Sequence, residues 1–325
     1  MSDSNAAPAR PFATPLQYAA FYCGRLVAFC FRLRSLALAR VVFGWVKSPT
    51  LVKRRFYDRT LVMDVARATP QKLLWLEGRR FVQERALLEA LVVPGMHVVD
   101  VGANIGYCTM MFSSLVGERG RVWSIEPDPV NLLELEATVA ENHLAGQVTV
   151  LPVAAGASED TVKFEPGLNS RVTPEGRSEV SVKSLDSLKL DRVELIKIDV
   201  EGYEGAVLEG AVTTLARCQP TIFMELHPQL LTGHTHAGIL DLMQRHYPQV
   251  RAYRIERRNF LIRLLQNYGL CRYVSEIREV RSVVEGYQTG RVVDPCWIVA
   301  NNEGSVGMNN LQRDAHQQRG RARPG

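Results

Sequence analysis

The stretch His97–Phe112, "HVVDVGANIGYCTMMF", decides the fold class of this chain. A short apolar run leads into Asp100, and Gly102, Asn104 and Gly106 then follow at every second position. The apolar run predicts a β-strand, and the helix-forming residues behind the turn predict a helix. A strand, a tight turn and a helix form the unit that holds nucleotide-like ligands in open α/β sheets.

Apolar runs of strand length alternate with helical patterns on both sides of this unit. Strands are predicted at Val98–Val101, Arg121–Ile125, Val148–Val153, Leu195–Ile198, Thr221–Leu226, Val250–Ile255 and Cys296–Ala300. Helices are predicted between them, at 105–116, 129–143, 204–215 and 238–246. This alternation predicts an α/β fold in which a mostly parallel sheet carries helices on both faces. Residues 154–189 are irregular, with short strands expected near Thr161–Phe164 and Val180–Lys183.

The charge and the cysteines exclude several classes of protein. The 325-residue chain has a formal net charge of +5. Residues 1–57 carry nine basic side chains and one acidic one, or +8, so the remainder carries −3 and lacks the basic signature of a nucleic-acid binder. The six cysteines include no C-x-x-C pair. We therefore expect no zinc cluster and no disulfide framework, but reduced thiols in a cytosolic protein.

The ends of the chain differ from its body. Residues 1–15 are predicted to be a disordered leader, 16–75 a helical extension that is basic and apolar, and 303–325 a disordered tail. The amphipathic helical pattern extends over residues 60–93. No apolar run reaches the about 20 uncharged residues that a membrane span needs, and the polar leader argues against a cleaved signal.

Residues 16–47 leave three interpretations open. They could form an interfacial helix on an anionic membrane surface, a helix that packs on the body or on a second subunit, or a transit peptide. The first interpretation gives a cytoplasmic protein with peripheral contact at the inner face of the membrane. The sequence does not fix the oligomeric state.

The turn after the first strand selects among nucleotide-like ligands. A dinucleotide needs G-x-G-x-x-G, yet Asn104 occupies the second glycine position and Tyr107 the third. Asp100 adds a negative charge where a diphosphate would lie. Both features suit a phosphate-free adenosine ligand with a cationic amino-acid end, which is S-adenosylmethionine. Asp100 would face its ammonium group, and Asn104 its carboxylate or the following helix.

The next two strands add contacts for the adenosine. Glu126 ends the second strand, twenty residues after Gly106, where a carboxylate can accept hydrogen bonds from both ribose hydroxyls. Val153 and Ala154, after the third strand, are small enough to lie against the adenine. Because dinucleotide enzymes use the same carboxylate, Glu126 indicates an adenosine but not the methyl donor itself.

Five segments in fixed order carry a resemblance to a known family: "VVDVGANIG", "IEPDP", "KSLDSL", "LIKIDVEGYEGAVLEGA" and "IFMELHP". With them the chain resembles the FkbM family of S-adenosylmethionine-dependent methyltransferases from about Leu76 to Ile255. The segment "IDVEG", at Ile198–Gly202, is its most specific part. The resemblance implies a Rossmann-like class I methyltransferase domain, assigned here to residues 76–302, whose last strand is antiparallel. It carries cofactor contacts over to Asp100, Gly102, Asn104, Gly106 and Glu126. Asp199, at a strand tip, could orient the cofactor or the acceptor hydroxyl.

The carboxyl edge of the sheet offers acids and a base for the transfer. Asp199 and Glu201 follow the fourth strand and match the family's acidic motif, with Glu201 expected to bind the acceptor. Glu225 and His227 follow the fifth strand, and His227 is the first choice for general base because histidine titrates near neutrality. Such a set also suits magnesium or manganese, but the sequence does not show that the side chains converge. No metal site is therefore predicted.

The sequence thus predicts an O-methyltransferase for a hydroxyl of a sugar, a glycolipid or a polyketide-like metabolite. One alternative is an N-methyltransferase with the same cofactor site, which needs no strong base. Another is a non-catalytic binding module that retains the fold. The segment 165–180, with Gly and Pro near its ends, is either a mobile lid over the acceptor or an ordinary exposed loop.

Overall fold

A computed structural model describes most of the chain between residues 51 and 302. The described residues are 51–67, 71, 74, 82–167, 170–227, 230–255, 274–277, 280–289 and 295–302. The predictions for the leader, for the helix at 16–47 and for the tail lie outside them. The chain divides into two compact units, Met1–Arg80 and Phe81–Gly325. No helix in the described part is long and apolar enough to cross a lipid bilayer.

The described part of the first unit is a β-hairpin. Strand β1 (Leu51–Phe56) pairs antiparallel with β2 (Arg59–Asp64), and Tyr57 turns between them with a φ of 56°. The helical extension predicted for 16–75 is therefore wrong at residues 51–64, and so is the start of the helical pattern predicted from residue 60. The run Leu61–Met63 is apolar throughout, and such a run fits a strand as well as a helix. The neighbouring strand decides between them, because pairing satisfies every second backbone group of β2.

The second unit contains all the remaining described elements. In chain order they are α1 (Val82–Leu91), β3 (His97–Val101), α2 (Tyr107–Val116), β4 (Arg121–Ile125), α3 (Pro129–Glu141), β5 (Val148–Leu151), β6 (Ala154–Ala155), β7 (Asp160–Glu165), β8 (Arg171–Val172), β9 (Ser178–Lys183), β10 (Leu195–Ile198), α4 (Glu204–Glu209), α5 (Val212–Cys218), β11 (Thr221–Leu226), α6 (His236–His246), β12 (Gln249–Ile255), β13 (Val274–Ile277), α7 (Val280–Gln288) and β14 (Cys296–Asn301).

Eight of these strands form the main sheet, in the order β13-β12-β14-β11-β10-β3-β4-β5. The five strands from β11 to β5 are parallel, whereas β14 lies between β11 and β12 and is antiparallel to both. This arrangement confirms the predicted class I methyltransferase sheet with an antiparallel last strand. Strand β13 adds a further antiparallel edge.

The central strands are buried along their whole length. Every residue of β10 and β14 is buried, as are four of the five residues of β3. Strands covered on both faces lose the alternation of polar and apolar residues, which explains why they appear in the sequence as continuous apolar runs. Strand β10 nevertheless contains one charged side chain, that of Lys197, which is buried.

The chain order reverses between β3 and β10. Strands β4 and β5 extend the sheet on one side of β3, and the chain then crosses to β10 on the other side. Ligands of open α/β sheets bind at such a switch point, beyond the carboxyl ends of the strands. A small sheet, ordered β6-β9-β7-β8, forms from the irregular region before β10 and contains the two short strands predicted there.

Candidate active site

A cleft opens at the switch point, beyond the carboxyl ends of β3, β4 and β10. Its empty volume is about 580 Å³, which includes space open to solvent. Five of the residues predicted to bind the cofactor line it: Gly102, Asn104, Glu126, Ala154 and Asp199. Glu201, predicted to bind the acceptor, lines it as well. Strand β8 adds Arg171 to its wall.

The turn after β3 is held by close backbone contacts. Gly102 has a φ of +76°, and a Cβ there would lie 1.8 Å from the carbonyl oxygen of Asp199. Only glycine fits this position, because the ends of β3 and β10 approach each other there. Asn104 is also left-handed, with a φ of 50°, and its Oδ1 accepts a hydrogen bond from the amide of Ile105 at 2.9 Å. Its side chain therefore closes the turn and does not cap α2, whose N-cap is Gly106.

Gly106 serves the packing of the turn and does not line the cleft. Its φ is +91°, and a Cβ there would lie 2.8 Å from Cδ1 of Leu135 on α3. Val153 is likewise not part of the cleft wall, since its side chain packs against the hydrophobic core. Neither predicted cofactor contact is supported. Val153 precedes the lining residue Ala154, but its own side chain packs elsewhere.

Glu126 is fixed at the tip of β4. Its Oε2 accepts a hydrogen bond from the amide of Asn104 at 2.8 Å. Its Oε1 accepts from the amide of Asp128 at 2.9 Å and from Nδ2 of Asn131 at 3.1 Å. A carboxylate has about four acceptor positions, so capacity remains for a ligand in the cleft. Burial raises the pKa of Glu126 to about 7, against the lowering effect of these hydrogen bonds.

Asp100 is enclosed in the protein and does not reach the cleft. Its side chain is fully buried, its Oδ2 accepts a hydrogen bond from Thr109 Oγ1 at 2.7 Å, and its Oδ1 lies 3.5 Å from Lys197 Nζ. The contact of Asp100 with a cationic ligand, directly or through water, therefore stays a prediction, since its side chain is not among those that line the cleft. The protein itself supplies the cation, because β10 places a lysine beside this carboxylate.

Lys197 links the two halves of the cleft. Its Nζ donates a hydrogen bond to the carbonyl oxygen of Gly102 at 3.0 Å and lies 3.5 Å from Oδ2 of Asp199. Burial alone would lower the pKa of Lys197, but the charges of Asp199 and Asp100 outweigh it, so that this pKa is well above the usual value. The sequence analysis missed this residue. The one signal in the sequence was a lysine within a strand of four residues that is otherwise apolar, which indicates a buried charge.

The acidic residues after β10 and the histidine after β11 come together. One ligand atom from each of Asp199, Glu201 and His227 lies within 4.8 Å of the others. His227 Nε2 is 3.4 Å from Glu201 Oε2 and 3.8 Å from Glu225 Oε1. Asp199 and Glu201 line the cleft, whereas His227, which contacts Glu201 and Glu225, does not line it, and neither does Glu225.

The charge state of His227 argues against its predicted role as general base. Burial lowers its pKa, but the hydrogen bond to Glu204 and the charges of the surrounding carboxylates outweigh burial and raise the pKa to about 9. An imidazole with that pKa is protonated at neutral pH and cannot accept a proton. Glu225 fits the role better, because burial, with the charge of Asp199, raises its pKa to about 7.

Comparisons with known proteins agree with this fold. Residues 100–255 match the family described as the methyltransferase FkbM domain, which confirms the resemblance found in the sequence. The hexuronic acid methyltransferase AglP of Haloferax volcanii is 29% identical over 139 residues, or 39% of this chain and 54% of that protein. A protein-L-isoaspartate O-methyltransferase of Triticum aestivum is 43% identical over 56 residues, or 17% of this chain and 23% of that protein.

The curated relatives are matched over about half of their length or less. Among solved structures, the methyltransferase FkbM from Methylobacillus flagellatus is 20% identical, with a TM-score of 0.40. That alignment covers 63% of this chain and 43% of the other.

Proposed function

Because residues 100–255 carry the methyltransferase FkbM domain, we propose that this chain is an S-adenosylmethionine-dependent O-methyltransferase. Its acceptor is a hydroxyl of a sugar, a glycolipid or a polyketide-like metabolite. One observation carries the proposal: Glu126, at the tip of β4, and the acids Asp199 and Glu201, at the end of β10, line the same cleft. A carboxylate suited to a ribose thus lies across from carboxylates suited to an acceptor.

The residues present fit the methyl donor. Glu126 offers a buried carboxylate with remaining acceptor capacity, and Ala154 offers a small side chain beside it. Asn104 occupies the position where a diphosphate would need a glycine. When bound, S-adenosylmethionine supplies a methyl group on a sulfonium, an electrophile that needs no further activation. The contribution of the chain is to bind it and to position the acceptor.

The acceptor side of the cleft must hold a hydroxyl and receive its proton. Asp199 is oriented by Lys197 at 3.5 Å, and its half-exposed carboxylate faces the cleft. Glu225, with a pKa of about 7, is close to the value that suits a base at neutral pH. We assign orientation of the hydroxyl to Asp199 and Glu201, which line the cleft, and proton acceptance to Glu225, which lies behind this wall and would be reached through one water.

Arg171 supports an acidic sugar among the candidate acceptors. Its side chain lines the cleft from β8, within the segment for which a lid was one interpretation. A guanidinium pairs with a carboxylate through two parallel hydrogen bonds. The relative AglP is named for methylation of a hexuronic acid. We therefore place uronic acids first among the sugars to be assayed.

The assay is transfer of labelled methyl from S-adenosylmethionine to a panel of sugars, uronic acids, glycolipids and amines, with products identified by mass spectrometry. We expect a methyl ether on a hydroxyl. Glu225→Gln should abolish most transfer while S-adenosylhomocysteine still binds in calorimetry. Glu179→Gln is the matched control, because Glu179 lies on the surface of the small sheet beside Lys163, and it should behave as wild type.

Two results would contradict the proposal in different ways. A methylated amine as the product, with Glu225→Gln fully active, would favour the N-methyltransferase. Absence of S-adenosylhomocysteine binding by the wild-type chain would favour a binding module that has kept the fold without the reaction.

A further inference from the structure

Three side chains at the acceptor end of the cleft have the arrangement of a cation site. Asp199 and Glu201 follow β10, and His227 follows the neighbouring strand β11. One ligand atom from each lies within 4.8 Å of the other two, and the shortest recorded pair is Glu201 Oε2 and His227 Nε2 at 3.4 Å. Two carboxylates and one imidazole, with the rest of the coordination sphere open to the cleft, are a known donor set for divalent metals.

The histidine in this cluster is held by a carboxylate on its far side. Glu204 Oε1 lies 3.3 Å from His227 Nδ1 and also accepts a hydrogen bond from the amide of Gly202 at 3.0 Å. Glu204 is fully buried, and its other oxygen has no hydrogen-bond partner among the described residues. The pairing of Nδ1 with a buried carboxylate turns Nε2 toward Glu201 and Asp199. Metal-binding histidines are oriented by carboxylates in this way.

The backbone of the histidine is anchored as well. Nε2 of His236, at the start of α6, donates a hydrogen bond to the carbonyl oxygen of His227 at 3.0 Å. The imidazole is therefore fixed at its backbone by His236 and at Nδ1 by Glu204, and Nε2 is the ring atom left to face the cleft acids.

Negative charge exceeds positive charge around the cluster. The carboxylates facing one another there are Asp100, Asp199, Glu201, Glu204 and Glu225. The cations that face them are Lys197, Arg171 and, when protonated, His227. With the buried Glu84, whose carboxyl faces Glu225 and Asp199, six acids thus meet three cations in a partly buried region, where uncompensated charge is costly. A bound divalent cation would remove this excess.

We propose that Asp199, Glu201 and His227 bind one divalent cation of the manganese or magnesium class, with Glu204 orienting the histidine. Carboxylate oxygens favour these metals, and manganese also accepts an imidazole nitrogen. Binding of the ion displaces the proton from Nε2 of His227 and does not depend on the reaction. Its role rests on the proposed function: at the acceptor end of the cleft, the ion would bind the hydroxyl oxygen and lower the pKa of that hydroxyl.

The test measures Mn²⁺ binding without measuring catalysis. The full chain is stripped with EDTA, dialysed and titrated with Mn²⁺, and the free ion is followed by electron paramagnetic resonance. We expect one Mn²⁺ per chain, displaced by excess Mg²⁺. Glu201→Gln should weaken binding at least ~10-fold, and Glu204→Gln should weaken it by about 10–100-fold through the loss of histidine orientation.

The chain offers a matched control for these variants. Glu209 pairs with His234 at 3.1 Å on the surface of the same unit, so Glu209→Gln makes the same chemical change in another glutamate–histidine pair. It should leave the Mn²⁺ titration unchanged. Equal titrations for Glu201→Gln and Glu209→Gln would overturn the proposal. Wild-type stoichiometry well below one would overturn it too, even if a variant failed to fold.

Calorimetry with S-adenosylhomocysteine separates this proposal from the function it deepens. Binding of Mn²⁺ without binding of S-adenosylhomocysteine would refute the methyltransferase and leave the cation site standing. Binding of S-adenosylhomocysteine without Mn²⁺ would do the reverse, and His227 would then be an imidazolium held by ion pairs alone.

Discussion

Replacing Lys197 with methionine should destabilise the fold, because it removes the ammonium group that lies beside the carboxylates of Asp100 and Asp199. Methionine has a similar length and no charge, so the change removes the ammonium group with little change in volume. It leaves Asp100, which is fully buried, without its neighbouring charge at 3.5 Å. It also leaves the carbonyl oxygen of Gly102 without its donor at 3.0 Å.

The size of the effect follows from the burial of the partners. The side chain of Lys197 is 3% exposed and that of Asp100 is 0% exposed, whereas that of Asp199 is 30% exposed. Breaking a buried ion pair by removing one partner costs about 3–5 kcal/mol. Asp199 adds little to this figure, because water can solvate it. For a unit of this size each kcal/mol lowers the melting temperature by about 2–4 °C, so a drop of roughly 6–20 °C is expected.

Urea unfolding followed by circular dichroism measures the loss, and two further variants interpret it. Lys163→Met is the matched control, since Lys163 pairs with Glu179 at 3.5 Å and both side chains are more than half exposed; its cost should stay within about 1 kcal/mol. Asp100→Asn combined with Lys197→Met should be more stable than Lys197→Met alone, because no buried charge is then left unpaired. A Lys197→Met loss no larger than that of Lys163→Met would refute the reasoning, as would a double variant whose losses simply add.

Three further outcomes are expected. Glu126→Gln should weaken S-adenosylhomocysteine binding by roughly 10–100-fold in calorimetry, because hydrogen bonds to a charged acceptor contribute about 1.5–3 kcal/mol; undiminished affinity would mean that Glu126 does not contact the ligand. Since the pKa of Glu126 is raised to about 7 and hydroxyls donate to the ionised form, wild-type affinity should rise as the pH increases through 7 and level off above it. The same titration of Glu126→Gln should show no such rise. Gly102→Ala should destabilise the chain far more than Gly117→Ala in thermal melts. Both glycines have a positive φ, yet a Cβ at Gly102 lies 1.8 Å from a carbonyl oxygen, whereas one at Gly117 meets nothing within 4 Å; equal losses would exclude the close approach as the cause.

Much of the fold could be predicted because a strand that is buried on both faces appears in the sequence as a continuous run of apolar residues. Strands β3, β10 and β11 appear as short apolar runs, and the glycine turn after β3 appears as Gly102 and Gly106. The prediction failed where an apolar run fits a helix as well as a strand. Residues 60–64 are apolar enough for either a helix or a strand, and their pairing with β1 decided the outcome.

Several of the predicted site residues lie at the cleft because they come just after the end of a strand. Gly102, Asn104 and Glu126 follow their strands directly, so the strand end alone puts them at the cleft. Asp100 lies two positions before Gly102, within β3. Its side chain contacts Lys197 on the neighbouring strand β10. The alternation along a strand predicts the face of the sheet on which a side chain lies. It does not predict which charged residue of a neighbouring strand lies beside that side chain.

The sequence by itself determined the order of strands and helices, the left-handed turn and the carboxylate at the tip of β4, because each depends on residues close together in the chain. Only the tertiary structure decided that Asp100 is neutralised from within, that Arg171 joins the cleft, and that His227 meets Glu201 and Glu204. Those contacts join strands distant in the sequence. Their distances and charges, and with them the pKa values, exist only once the sheet has assembled.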